Sequence, residues 1–270
     1  MNSVVLSGVS GGMGSATARK LIQEGYTVFG LDIKAPREPI EGLRFIQTDL
    51  RDVSSVTKAF AEVSEVTEKI DAIINMAGIY DLNSLIEMKE EDFIRIFDIN
   101  VFATYRLNKT FVPLLKERGK VIVISSELAP LHPLPFTGIY GITKATVEKY
   151  AASLRMELQL LRKQVVVIRP GAVSTPLLDV STSRLEAFTE NTRHYAYNAK
   201  RFRSIVNRVE ARKIPPEKIA LLIGKVLRKK KPRYVYKINR NPLLLLLNIF
   251  PKRFQNWLIK RILLRGKDQK

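Results

Sequence analysis

Tyr140 and Lys144 stand four residues apart at the start of a stretch, about Tyr140 to Arg162, whose apolar spacing predicts a helix. At that separation both side chains leave one helical face, so the ammonium can lower the pKa of the phenol and turn it into a usable base near neutral pH. Tyr105 and Lys109 repeat the spacing. Position separates the two pairs. Tyr140 opens its helix just after a strand end and a loop, on the side where the carboxyl ends of α/β strands bind ligands, whereas Tyr105 lies inside a long amphipathic helix and reads as structural. A hydroxyl to hold a substrate oxygen comes from Ser126, with Ser125 as its competitor, at the end of the apolar run Lys120 to Ser125. Asn100, an unfavourable residue for a helix interior, could hold a water that links Lys144 to solvent. Together these residue types suit proton transfer at an alcohol or ketone. His132 and His194 are isolated, and no His/Asp/Glu group has metal-ligand spacing, so neither histidine nor metal catalysis is expected.

An anion-binding turn precedes this machinery. Ser7-Gly8-Val9-Ser10-Gly11-Gly12-Met13-Gly14 lies between the apolar run Val4 to Leu6 and a helix-like stretch from about Met13 to Glu24. Glycines there let the backbone approach a pyrophosphate, and the helix N-terminus faces its charge. The spacings Gly8/Gly12/Gly14 and Gly8/Gly11/Gly14 are both satisfied. Asp32, 18 residues after Gly14, closes the second apolar run, Thr27 to Leu31. A carboxylate at that point accepts hydrogen bonds from the adenosine ribose and repels a 2′-phosphate, which favours NAD over NADP, with Lys34 and Arg37 partly offsetting the repulsion. Asp49 could meet the adenine amino group or cap the next helix. Thr175, four residues after Gly171 and next to Pro176, could bond the nicotinamide carboxamide with the backbone of Val173 beside it, or simply form a turn.

The elements that must position these residues alternate. Strand-like runs fall at Val4–Leu6, Thr27–Leu31, Arg44–Gln47, Ala72–Asn75, Lys120–Ser125 and Val165–Arg169, separated by helix-like stretches that include Val53–Lys69 and one long helix from Phe93 to Glu117. Runs such as Val121-Ile122-Val123-Ile124 have no polar alternation, so both faces of the sheet are expected to be buried under helices. After Pro170-Gly171 an irregular segment, about 176–213, stands where a lid would sit, followed by a helix from Pro216 to Lys229.

Residues 3 to about 176 resemble the short-chain dehydrogenase/reductase family, in its shorter single-domain branch. The likeness rests on the glycine loop, Asn75-Met76-Ala77-Gly78 (the family's Asn-Asn-Ala-Gly, with Met76 differing), Asn100, Ser126, Tyr140, Lys144 and Pro170-Gly171-Ala172-Val173-Ser174-Thr175. It implies an α/β fold of Rossmann type: a doubly wound parallel seven-stranded sheet with helices on both faces. It also implies hydride transfer between a secondary alcohol or ketone and NAD, less readily NADP, with Tyr140 as general acid/base and Ser126, the second of the serine pair, orienting the carbonyl. Coenzyme contacts are implied for Gly8, Ser10, Gly12, Met13, Gly14, Asp32, Asp49, Leu50, Asn75, Ala77, Gly78, Pro170, Gly171, Val173 and Thr175, and for Tyr140 and Lys144, the latter on the nicotinamide ribose. Homodimers or homotetramers follow from the same likeness. Ser126 to Tyr140 is 14 residues, one longer than the family's common spacing, so the loop Glu127–Ile139 must absorb an extra residue.

The chain has 270 residues, no cysteine, 46% hydrophobic and 26% charged residues, which excludes a disordered polyelectrolyte and a disulfide scaffold. One domain over residues 1–240, with a basic hydrophobic extension over 241–270, is the expected organisation. Residues 1–199 hold 23 Lys/Arg and 23 Asp/Glu, and residues 200–270 hold 22 and 3, so the whole net charge of +19 lies in the last quarter. That end, with its five leucines from Leu243 to Leu247 and then Phe254, Trp257, Leu258 and Ile262 among lysines and arginines, resembles the C-terminal region of the membrane-associated hydroxysteroid and retinol dehydrogenase branch. A hydrophobic alcohol or ketone substrate is implied, and an anionic membrane surface suits the composition. Packing of Leu243 to Phe250 over the substrate pocket is the alternative. No nucleic-acid-reading motif accompanies the charge. No export signal is read at the N-terminus, so a cytoplasmic enzyme, peripheral on the inner face of a membrane, is expected. Two competing functions are a nucleotide-sugar epimerase or dehydratase and a non-catalytic NAD-binding scaffold.

Overall fold

The computed structural model describes residues 2–210 and 212–265. The chain forms β1 (Asn2–Ser7), α1 (Gly12–Gln23), β2 (Tyr26–Asp32), β3 (Leu43–Gln47), α2 (Val53–Val66), β4 (Ile70–Asn75), α3 (Glu90–Phe97), α4 (Ala103–Phe111), β5 (Leu115–Ile124), α5 (Gly138–Leu158), β6 (Gln164–Pro170), α6 (Pro176–Asn191), α7 (Ala196–Glu210), α8 (Glu217–Arg228), β7 (Val235–Ile238), α9 (Pro242–Leu247) and α10 (Lys252–Leu264). The seven strands form one parallel sheet in the order β3-β2-β1-β4-β5-β6-β7. The direction of winding reverses between β1 and β4. At such a switch point the loops at the carboxyl ends of the strands diverge and leave a crevice for a ligand.

The unalternating strands are explained by two cores. Val5, Ile73, Val121, Val123, Val165 and Val167 face α2, α4 and α5, while Val4, Leu6, Ala72, Ile74, Ile122, Ile124, Val166 and Ile168 face α1 and α8. Successive side chains in a strand point to opposite faces, so a strand with apolar residues at every position is stable only when both faces are covered.

Two segments differ from the reading of the sequence. The single helix expected from Phe93 to Glu117 is α3 and α4 joined by a π-helical turn, Asp98–Phe102, and it ends at a short 3₁₀ turn, Val112–Leu114. Pro113, which cannot donate to the helical ladder, lies in that last turn. The segment expected to be irregular, 176–213, consists mainly of α6 and α7. Its many Ser, Thr and Asn residues have weak helix propensity. Tertiary packing overrides that, since Leu185, Phe188, Ala199 and Phe202 form a third core with Leu82, Phe136 and Leu263. Two latches hold this lid to the body: Arg184 to Asp81 at 2.6 Å, and Glu87, which accepts from Thr192 Oγ1 and from the backbone N–H groups of Arg193 and His194.

The extra residue between Ser126 and Tyr140 falls in a loop where Phe136 adopts φ 64°. A left-handed non-glycine residue costs about 1–2 kcal/mol. Contacts of the Phe136 ring with Phe188, Tyr195 and Phe202, at centroid distances of 5.1, 5.2 and 5.3 Å, offset it.

Candidate active site

The glycine loop is built by close approach. Gly8 has φ 73°, and a Cβ there would stand 2.8 Å from the backbone of Ala77, while a Cβ on Gly14 would meet the Gly8 carbonyl at 2.0 Å. Gly11 makes only an ordinary contact, so of these three the turn requires Gly8 and Gly14. Asp32, at the end of β2, accepts from the backbone N–H of Ser10 at 3.0 Å, which sets a carboxylate against the loop; Ser10 Oγ donates to the Lys34 carbonyl. Gly12 and Met13 open α1 with their N–H groups in its first turn.

Nine of the expected residues line one cavity of about 190 Å³: Met13, Gly78, Ser126, Tyr140, Lys144, Pro170, Gly171, Val173 and Thr175. Others stand apart. The Asn75 amide is buried and donates to Asn108 Oδ1 and the Ile122 carbonyl, so what the turn Asn75–Gly78 offers a ligand is its backbone, held by Met76 and Ala77 N–H bonds to Ser7 Oγ. Leu50 packs in the core with its carbonyl toward Arg106. Asp49 is paired with Arg51 at 2.7 Å, a bond that holds its carboxyl below the usual range. The cap of α2 is Asp52, whose side chain accepts from Ser54 N–H, so the capping role open to Asp49 falls to its neighbour.

Asn100 lies in the π-helical turn and is 1% exposed. Its amide donates to the Ile79 carbonyl and to Thr143 Oγ1, both at 3.0 Å, and accepts from Ile79 N–H at 2.8 Å. Both N–H groups are used, which leaves one lone pair for a water. A Cβ on Gly78 would stand 3.1 Å from Asn100 Oδ1 and 3.5 Å from Lys144 Nζ, so a side chain there would press on Asn100.

Lys144 Nζ donates to the Ile124 carbonyl at 3.0 Å and lies 5.7 Å from the centre of the Tyr140 ring. Burial lowers the Lys144 pKa to about 8, opposed by the Glu148 carboxylate. Tyr140 differs from expectation: its phenol is pushed up to about 12 by burial, opposed by a hydrogen bond from Ser126, and the lysine does not outweigh the loss of water. At neutral pH the Tyr140 hydroxyl therefore keeps its proton. The two serines differ in their partners. Both line the cavity, but Ser125 Oγ donates to Glu148 Oε1 at 2.7 Å, whereas Ser126 Oγ accepts from Leu128 N–H at 3.2 Å and has its own proton to donate.

The residues fit a dinucleotide. The loop backbone replaces what a Cβ would fill, Asp32 stands beside the turn, and the cavity runs from Met13 to Thr175 past Tyr140 and Lys144. Residues 2–186 match the family model described as short chain dehydrogenase. The chain belongs to the short-chain dehydrogenase family. It is 28% identical over 237 residues to the 3-ketodihydrosphingosine reductase of Bacteroides thetaiotaomicron, covering 87% of each chain. It is 31% identical over 202 residues to the NADPH-dependent 1-acyldihydroxyacetone phosphate reductase of Schizosaccharomyces pombe, covering 72% of this chain and 68% of that one. The ligand-free aldohexose dehydrogenase of Thermoplasma acidophilum superposes with a TM-score of 0.73 at 20% identity, over 89% of this chain and 95% of that one. As a short-chain dehydrogenase the protein is an NAD(P)-dependent oxidoreductase acting on CH–OH groups or the matching ketone, and the scaffold reading falls away.

Several residues of this dehydrogenase site were not legible in the sequence. Tyr80 stacks edge-on against Tyr140 with ring centres 4.5 Å apart. Asn239, after β7, donates to the Ala172 and Arg212 carbonyls at 2.8 Å, and its own carbonyl lies where a Cβ on Gly171 would be. Glu127 is 8% exposed in the cavity wall, and its carboxylate accepts from Asn241 N–H at 2.7 Å. No local spacing marks these residues, because each acts through contacts far away in sequence.

The C-terminal helices lie against the lid. Leu263 joins the lid core, and the end of α10 is capped from α7: Asn198 donates to the Leu263 carbonyl at 2.8 Å, Arg201 to Ile262 and Tyr197 to Arg265. His132 fastens the same region, its N–H to Asn248 Oδ1 and its ring to Asn256. Leu244 reaches the cavity wall. Among the described residues, no helix is long and apolar enough to cross a membrane.

Proposed function

We propose that the enzyme interconverts a hydrophobic ketone and its secondary alcohol, with Tyr140 exchanging the proton at the substrate oxygen. The observation that carries this reading is a single cavity in which Ser126, Tyr140 and Lys144 share walls with Tyr80, Leu134, Phe202, Ile205, Val206 and Leu244. The bound nicotinamide supplies or accepts the hydride. The protein does the rest. Ser126 and Tyr140 hold the oxygen, Tyr140 donates its proton in reduction, and protonated Lys144 steadies the phenolate that remains. Asn100 locks Ile79 and Thr143 behind Lys144, and with a water on its free lone pair it returns protons from solvent. Steroid, retinoid and long-chain ketones screened with NADH and NADPH, by absorbance of the reduced coenzyme, test the reading. Turnover of apolar ketones is expected, and turnover of small polar carbonyls alone would defeat it.

NAD is the preferred coenzyme in this reading, because Asp32 meets the ribose end. The yeast relative is NADPH-dependent by name, so the choice rests on this carboxylate. Replacing Asp32 by Ser is expected to raise the ratio of kcat/KM for NADPH over NADH about tenfold, the effect of removing roughly 1.4 kcal/mol of charge repulsion. An unchanged ratio would assign the selectivity to Lys34 and Arg37.

The basic C-terminal helices are proposed to rest on an anionic membrane at the cytoplasmic face. Leu243, Leu246, Ile249, Phe250, Phe254 and Trp257 are all exposed, next to Lys252, Arg253 and Lys260. Apolar side chains interleaved with cations suit a headgroup layer. Sedimentation with vesicles containing phosphatidylserine is expected to be salt-sensitive and to be lost in the full-length triple variant Lys252→Glu, Arg253→Glu, Lys260→Glu. Equal sedimentation of both proteins would oppose it. A homodimer or homotetramer is proposed as well, through the face where Phe102, Tyr105, Ile142 and Met156 of the α4–α5 region stay exposed.

A further inference from the structure

Glu127 follows Ser126 directly and lines the same cavity, yet nothing in the proton-transfer chemistry uses it. It is 8% exposed, and among the described residues its only hydrogen bonds are the N–H of Asn241 to Oε2 and its own N–H to the Pro170 carbonyl. Oε1 accepts no bond. It faces the backbone of Gly171, 3.0 Å from where a Cβ there would stand. No cation forms an ion pair with it within 4.0 Å among the described residues; Arg240 acts only through its field. Burial pushes the carboxyl up from its ordinary range.

A carboxylate in an apolar wall is costly unless paired, by several kcal/mol. Anchoring Asn241 needs one neutral acceptor, which a glutamine would provide. The charge and the second oxygen are surplus to that anchor, and Glu127 and Gly171, which that oxygen faces, both line the substrate cavity. We propose that Glu127 is a specificity-determining residue that receives an ammonium group carried by the substrate next to its carbonyl, so that the preferred substrate is a long-chain 2-amino ketone. Ser126, Glu127 and Tyr140 line one cavity, so a substrate whose carbonyl oxygen is held by Ser126 and Tyr140 would present a substituent next to that carbonyl to Glu127, with its alkyl chain toward Phe202, Ile205 and Val206 of the same lining. The inference rests on the ketone-reducing reading of the same cavity.

The test compares kcat/KM for a long-chain 2-amino-3-ketone and its deamino counterpart, in wild type and Glu127→Gln. The ratio of the two is the readout, so a general loss of activity cancels. Wild type is expected to favour the amino ketone roughly 10- to 100-fold, the value of one charge-assisted hydrogen bond, and the variant to fall to near parity. A second measurement needs only wild type. A long-chain alkylammonium is expected to inhibit reduction of the deamino ketone at least about tenfold more tightly than the alcohol of equal length, the lower end of the same range. Equal ratios in both proteins, or equal inhibition by amine and alcohol, overturn the role of Glu127 while leaving ketone reduction intact. Failure of wild type to reduce either ketone overturns the parent reading and this inference with it.

Discussion

Tyr140→Phe protein is expected to bind NADH as wild type does and to lose about 10²- to 10⁴-fold in kcat, the range that a positioned general acid or base contributes. The ring remains, so the edge contact with Tyr80 and the packing of α5 persist. What disappears is the hydroxyl of a residue that lines the cavity beside Ser126 and Lys144. The pH profile gives an independent check. With its phenol pushed up to about 12, Tyr140 carries its proton throughout the neutral range, so reduction is not limited by its ionisation there. Lys144, brought down to about 8, is cationic below that value and neutral above it. Reduction leaves a phenolate that needs the ammonium, so the reductive rate is expected to be level below about pH 8 and to fall as Lys144 loses its proton. A Tyr140→Phe enzyme with wild-type kcat, or a reductive rate that climbs through that range, would remove Tyr140 from the proton path.

Glu148→Gln is expected to destabilise the fold by about 3 kcal/mol, the lower end of what is lost when one partner of a buried ion pair is removed. Glu148 lies one helical turn beyond Lys144 and accepts from Ser125 Oγ and from the Arg169 guanidinium through both carboxylate oxygens. The two side chains of the pair are 14% and 19% exposed, so water cannot replace the lost partner of Arg169. A loss of about 6–12 °C in the thermal midpoint follows for a chain of this size. The same substitution removes the carboxylate that holds the Lys144 proton, so the fall in the reductive rate should begin at lower pH than in wild type. Pairing Glu148→Leu with Arg169→Met should recover most of the stability, since no charge is then left uncompensated. A Glu148→Gln protein as stable as wild type, with an unmoved pH limb, would mean that the carboxylate supports neither Arg169 nor Lys144.

Most of the scaffold was legible because its signals are local. Runs such as Val121–Ile124 and Val165–Ile168 are apolar at every position, which only a sheet covered on both faces can accommodate, and the strands formed there. The glycine loop reads from its place between a strand and a helix together with its glycines, since the need for φ 73° at Gly8 is a property of a short turn of that kind. The lid did not read correctly. Its polar composition argues against helix, and the packing that makes α6 and α7 helical involves Leu82, Phe136 and Leu263, distant in sequence. β7 is only four residues long and carried no periodicity of its own.

By itself the sequence determined a doubly wound parallel sheet, a phosphate-binding turn and a tyrosine–lysine pair on one helical face, because each follows from residue types within a turn or two of one another. Tertiary structure made the two serines differ, since Ser125 donates to a carboxylate 23 residues away. It also set the protonation of the pair, because burial outweighs a lysine 5.7 Å from the ring. And it put Glu127 into the cavity wall with one oxygen unbonded among the described residues. Solvent exclusion and long-range contacts belong to the whole fold, so no window of the chain carries them.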